Sequence, residues 1–207
     1  MDDAKEFSLG KGRLEAFSDG VFAIAITLLV LEIPLPVPQG LPTSLEQVQA
    51  LLAIWPQYAV YFVSFATIGI MWLNHHALFQ NVRRVTHGVV LANLLLLSLI
   101  SFLPFPTEVF GRYGLTNIAV AYYGLTMTLI SIAYNVVFAQ VVAAHPGCSN
   151  RMTLWTIIGL TLYPLVSIAG YFFPAAGLLG LAGLAAFYMQ AKKVHSVVLQ
   201  IPETKSA

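Results

Sequence analysis

Charge is what this chain has least of. Only 9% of its 207 residues are Asp, Glu, Lys or Arg, against 58% hydrophobic, and the few charges stand between the apolar runs rather than within them. No stretch outside those runs is long enough to bury a core of its own, which excludes a separate soluble domain. Cysteine is nearly absent too: Cys148 stands alone, so an internal disulfide and a thiolate metal site are both excluded. A net charge of +1 leaves no electrostatic footprint for nucleic acid. The GxSxG and HExxH patterns of hydrolases and zinc peptidases do not occur, nor does a TVGYG-type ion filter. From the second apolar run onward no Asp, Glu, Lys or Arg lies well inside a run, which speaks against a proton- or sodium-coupled carrier.

What is present reads as an all-α, polytopic membrane protein, a single domain over residues 1–207. Six apolar segments can be drawn, at 13–34, 51–80, 88–105, 117–143, 152–173 and 174–191, each near the roughly 20 residues that a span requires. The acidic residues Asp2, Asp3 and Glu6 beside Lys5 and Lys11, with no small-residue cleavage site after the first run, predict a retained anchor rather than a cleaved signal. An even number of spans puts both termini on one side. Lys5, Lys11, Arg13, Arg83, Arg84, Arg151, Lys192, Lys193 and Lys205 all fall on that side, leaving only Arg112 of the 10 basic residues opposite. The positive-inside rule then predicts a multi-pass protein of the cell membrane, bathed in lipid, with both termini cytoplasmic.

Between the first two segments, the prolines from Pro34 to Pro42 predict an extended connection. Ser44 with Gln47 reads as a capping box, and a helix from Leu45 to Gln80 is too long for one straight span, so a kink is expected near Pro56. Trp55, Tyr58 and Tyr61 suit the outer interface. The third segment carries Asn93, Ser98 and Ser101 and is expected to stop at Pro104 and Pro106. Tyr122, Tyr123, Asn135 and Gln140 in the fourth read as glue between helices. A kink is expected at Pro164, a tight turn from Gly170 to Pro174, and close helix approach along Gly177, Gly180, Gly183 and Ala186.

The chemistry concentrates in the first segment. A helix long enough to cross the bilayer must include the cluster of Arg13, Glu15, Ser18 and Asp19, so these polar groups dip into the membrane edge, where ionisable groups need partners. On a 3.6-residue repeat Ile24, Thr27, Leu28 and Leu31 share one face, while Asp19 points about 140° away from Ile24. That face either meets lipid and neighbouring helices or lines a pore, since an apolar constriction can gate by dewetting. The second segment ends with Trp72, Asn74, His75 and His76 at the depth of Asp19, and the indole and imidazoles can donate to its carboxylate. Adjacent histidines project about 100° apart, unlike the paired histidines of a zinc helix, so no metal site and no cofactor is expected.

Arg13-x-x-x-Phe17-Ser18-Asp19, followed by VFAIAITLLVLEI and by Trp72-x-x-His75-His76, resembles the RxxxFSD signature of the transmembrane protein 175 family of lysosomal-type potassium channels and their bacterial relatives. The resemblance covers most of the chain. It implies a channel, not an enzyme, permeable to K⁺, in which the first helix of each six-helix unit lines a central pore. With one signature per chain it implies a homotetramer, each subunit having copies of itself as partners. It also implies an apolar constriction at Ile24, a threonine layer at Thr27 and further rings at Leu28 and Leu31. Arg13, Phe17, Ser18 and Asp19, with Trp72, Asn74 and His75 or His76, would form the hydrogen-bonded network that fixes the pore helix. The competing reading is an ion-coupled carrier or membrane-bound enzyme that uses the His75/His76 pair.

Overall fold

The computed structural model describes residues 10–36, 42–80, 82–145 and 154–190. Among these, every regular element is helical: α1 (Lys11–Leu28, continued by a tighter 3₁₀ turn over Leu29–Glu32), α2 (Ser44–Ala53), α3 (Trp55–Gln80), α4 (His87–Ser101), α5 (Pro104–Tyr113), α6 (Asn117–Ala144), α7 (Leu154–Phe172) and α8 (Pro174–Gln190). Four stretches are long and apolar enough to cross a membrane, Lys11–Glu32, Trp55–Gln80, His87–Tyr113 and Asn117–Ala144, and two shorter apolar helices follow at Ile157–Phe172 and Pro174–Tyr188.

Helix ends show where local chemistry departs from the expected pattern. The capping box sits one residue earlier than Ser44: Thr43 Oγ1 accepts from the Glu46 amide at 3.4 Å, and the Thr43 amide donates to Glu46 Oε2 at 2.7 Å. A carboxylate accepts more strongly than the Gln47 amide, so Thr43–Glu46 wins over Ser44–Gln47. The Thr43 backbone N–H, helped by its hydroxyl, holds the Glu46 carboxyl below its ordinary range. The expected break near Pro56 falls at Ile54, between α2 and α3. The helix of the third segment ends at Ser101, just before the prolines, and after a short turn Pro104 and Pro106 open α5, because the first turn of a helix has no use for the missing N–H. Helix α7 continues through Pro164.

Helix α6 occupies the centre, packed against α4 on one side and α7 on the other, while α1 lies across α3 and α4. Lipid removes the hydrophobic drive between helices, so close packing and interhelical hydrogen bonds hold the bundle. Ser64 Oγ of α3 is 2.9 Å from Thr107 Oγ1 of α5 and 3.0 Å from Tyr123 OH of α6, a buried knot joining three helices. Tyr123 thus acts as glue, whereas Asn135 donates within its own helix to Ser131 O at 2.8 Å. Gly177 lies against the backbone of Gly170, and a Cβ at Gly180 would come 2.7 Å from Val166 Cγ1; Gly183 has nothing within 4 Å, so the small-residue stripe packs only in its first half. At the other end of the bundle His145 Nε2 accepts from the amides of Arg83 (2.9 Å) and Arg84 (3.2 Å), while His145 Nδ1 lies 2.7 Å from Val141 O. Since Nε2 receives two N–H groups, Nδ1 carries the proton and donates.

Candidate functional site

Helix α1 divides into two faces. Leu14, Ser18, Phe22, Ala25 and Leu29 recur at steps of three and four and are buried against α3 and α4. The opposite face points away from the bundle: Ile24 is 61% exposed and Leu31 74%, against 0% for Leu29. Thr27 and Leu28 share this outward face. Arg13 and Phe17 belong to it as well, within about 20° of Ile24 on a helical repeat. Thr27 Oγ1 lies 2.9 Å from both Ala23 O and Ile24 O. Its proton is thereby turned into the helix, and its lone pairs face outward as acceptors.

On the buried side, the directions of the hydrogen bonds can be worked out in sequence. Ser18 Oγ donates to Leu14 O at 2.8 Å, because a carbonyl can only accept. The Ser18 oxygen must then accept from Asn93, whose Nδ2 is 2.9 Å away. This fixes the Asn93 amide with Oδ1 toward His75 Nε2 at 2.8 Å, so His75 Nε2 carries a proton and donates. Ser18 and Asn93 are fully buried and His75 almost so, with the imidazole stacked on Phe79 at 4.3 Å and tilted against Phe22 at 5.5 Å. At the exposed edge Trp72 Nε1 donates to Asp19 Oδ1 at 2.8 Å. Helix α1 is therefore pinned twice, to α3 through Asp19–Trp72 and to α4 and α3 through Ser18–Asn93–His75.

Not every expected member joins. His76 turns outward: its Nε2 accepts from Gln80 at 3.0 Å and its ring stacks on Trp72 at 6.1 Å, so the two histidines share no ligand space. Asn74 lines a cavity between α3, α6, α7 and α8, and its backbone carbonyl accepts from Tyr134 OH at 3.1 Å. Arg13 and Phe17 stand outside the network because they lie on the outward face; among the described residues the Arg13 side chain makes no hydrogen bond or ion pair. Lys11 ties the start of α1 to the end of α3 instead, donating to Gln80 O at 2.9 Å. The residue that sequence reasoning passed over is Asn93. A single Asn inside the apolar run of α4 was its only signal.

The model of the family described as endosomal/lysosomal potassium channel TMEM175 matches residues 13–104, a stretch that holds all but the first two residues of α1 and every member of both anchors. A potassium channel of a Chryseobacterium strain is 36% identical over 180 residues, covering 80% of this chain and 90% of that protein. This chain belongs to the TMEM175 family. A potassium channel of Streptomyces collinus is 47% identical over 127 residues, 59% of this chain, so the match spans about three fifths of that relative's length (60%). Among solved structures, a lysosomal potassium-selective channel TMEM175 homolog from Chamaesiphon minutus superposes with a TM-score of 0.76 at 34% identity, covering 88% of this chain and 98% of that one. The fold of this TMEM175 member and its status as a membrane protein follow from these likenesses together with its four candidate spans.

Proposed function

We propose that this protein is a K⁺-conducting channel whose path is walled by the outward face of α1 from four copies of the chain. The carrying observation is the split of α1 into a face pinned by hydrogen bonds and a face left exposed, with no element packed on it among the described residues. An apolar helix face opposite so rigid an anchorage suits a pore: lipid contact alone would not need Ser18, Asn93 and His75 in fixed register. Four copies around an axis bring four Ile24 side chains together as the constriction, with Leu28 and Leu31 as further apolar rings. Four Thr27 hydroxyls, their protons held by their own helices, offer lone pairs to a partly dehydrated cation.

In this reading the two shorter apolar helices are the fifth and sixth spans. Both termini are then cytoplasmic. Lys11, Arg13, Arg83 and Arg84 lie at one end of the bundle, while Arg112 at the other is paired with Glu108, Nε to Oε1, at 2.7 Å. A carrier or enzyme built on His75 and His76 finds little support, since His75 is buried and bonded to Asn93 while His76 faces away.

The test is flux from liposomes loaded with K⁺ or Na⁺, with wild type beside Ile24→Asn and with proton flux recorded in parallel. The expected result is K⁺ flux above Na⁺ flux, raised in Ile24→Asn because a polar ring stays wet. Saturable turnover of a solute, abolished by His75→Ala and indifferent to Ile24→Asn, would establish the carrier instead.

A further inference from the structure

Between α3, α6, α7 and α8 lies a cavity of about 70 Å³, away from the outward face of α1. This is several times the roughly 10–15 Å³ that one water needs and about half of the roughly 150 Å³ that encloses a benzene, and the cavity is half open at its mouth, so a ring enters it in part. Ile70, Met71 and Ile130 make its apolar wall. The rings of Tyr163 and Tyr188, stacked at 6.1 Å and 10°, make another.

Its polar edge is the informative part. Asn74 and Ser131 both line the cavity, and the carboxamide of the one and the hydroxyl of the other have no hydrogen-bond partner among the described residues. Asn135 uses Nδ2 on Ser131 O and keeps its side-chain carbonyl for an incoming donor. Gly159 lets this edge assemble: a Cβ there would come within 2.6 Å of Tyr188 OH and 2.9 Å of Ser131 Oγ. Among the described residues no Asp, Glu, Lys, Arg or His lines the cavity. A charged guest would therefore lose its hydration uncompensated, and a wholly apolar one would cover the Asn74 amide without pairing it.

We propose that this cavity is a binding site for a compact, uncharged aromatic alcohol, its ring against the tyrosines and its hydroxyl on the Asn74–Ser131–Asn135 edge. The site is separate from the ion path and does not depend on the channel reading. It bears on α1 all the same, because Asn74 lies on α3 between Trp72 and His75, the two residues of that helix that hold α1.

Phenol, benzene and benzoate, added to the purified full-length protein, distinguish the possibilities through its thermal midpoint. Phenol is expected to raise the midpoint saturably, by roughly 3–6 °C at ten times its dissociation constant. Benzene should bind about tenfold more weakly for want of the hydroxyl, and benzoate should give no shift. Asn74→Leu should weaken phenol about tenfold and leave benzene unchanged, and Ala185→Phe, which fills the cavity, should abolish both shifts. If Ala185→Phe does not fold, the Asn74→Leu comparison decides. A non-saturable phenol effect in the wild type, or equal phenol affinity in wild type and Asn74→Leu, overturns the proposal.

Discussion

Asn93→Leu is the substitution that puts most weight on the anchoring argument. Asn93 makes two buried hydrogen bonds, donating to Ser18 Oγ at 2.9 Å and accepting from His75 Nε2 at 2.8 Å. Leucine keeps the branched shape and the number of heavy atoms, is bulkier by its methyl hydrogens, and removes both hydrogen bonds. Ser18 can still donate to Leu14 O, so its loss is one acceptor contact. His75 is left with an N–H and no partner, its ring held in place by Phe79 and Phe22. Interhelical hydrogen bonds in membranes average about 0.6 kcal/mol and reach about 1.7. A buried donor left unpaired adds about 1–3 kcal/mol. The sum is about 2–4 kcal/mol, or a fall in unfolding midpoint of roughly 5–15 °C for a chain of this size. Thermal unfolding in detergent, followed by circular dichroism, reads it. Ser98→Ala on the same helix, whose exposed hydroxyl only donates to Leu95 O, is the control and should stay within about 0.5 kcal/mol of wild type. An Asn93→Leu midpoint as close to wild type as the control would mean that the Ser18–Asn93–His75 chain does not hold α1, and the argument for a pinned helix would fail.

Gly177→Ala should lower the midpoint, because Gly170 backbone cannot give way, whereas Gly183→Ala should leave it unchanged or raise it by up to about 1 kcal/mol through helix propensity; equal effects would refute the α7–α8 packing. His145→Phe removes the acceptor for two backbone amides at a cost of about 1–3 kcal/mol, and hydrogen exchange should quicken selectively at Arg83 and Arg84; unchanged exchange there would contradict the clamp. Thr27→Ala should reduce the ratio of K⁺ to Na⁺ flux while Thr27→Ser keeps it, since serine retains the hydroxyl bonded back to Ala23 and Ile24; identical ratios would remove Thr27 from any role in selection.

Much of this was legible in the residues, and the reasons for the gaps are physical. The polar cluster at the start of α1 was expected at the membrane edge on length alone, and Trp72 was a donor at the expected depth of Asp19, so that pair follows from arithmetic along two helices. The 100° between His75 and His76 required them to part, but which one turns inward depends on where α4 lies, a tertiary fact. Asn93 in an apolar run has the same local signature as Asn135, yet one links three helices and the other bonds its own backbone. Pro104 and Pro106 serve equally as a helix stop and a helix start, and Thr43–Glu46 and Ser44–Gln47 both fit a capping pattern; geometry breaks each tie. The cavity at Asn74 had no local mark at all, because its walls come from four helices.

The central claim is that ions pass along the outward face of α1, and silver block of single-cysteine channels tests it most directly. With Cys148 replaced by serine, K⁺ flux through Ile24→Cys and Leu29→Cys proteins is followed as Ag⁺, a thiol-seeking cation, is added. Ile24 is 61% exposed and Leu29 fully buried on the same helix. Block of Ile24→Cys with Leu29→Cys untouched is the predicted result. Block of Leu29→Cys alone, or of neither while K⁺ flux persists, would place the ion path elsewhere.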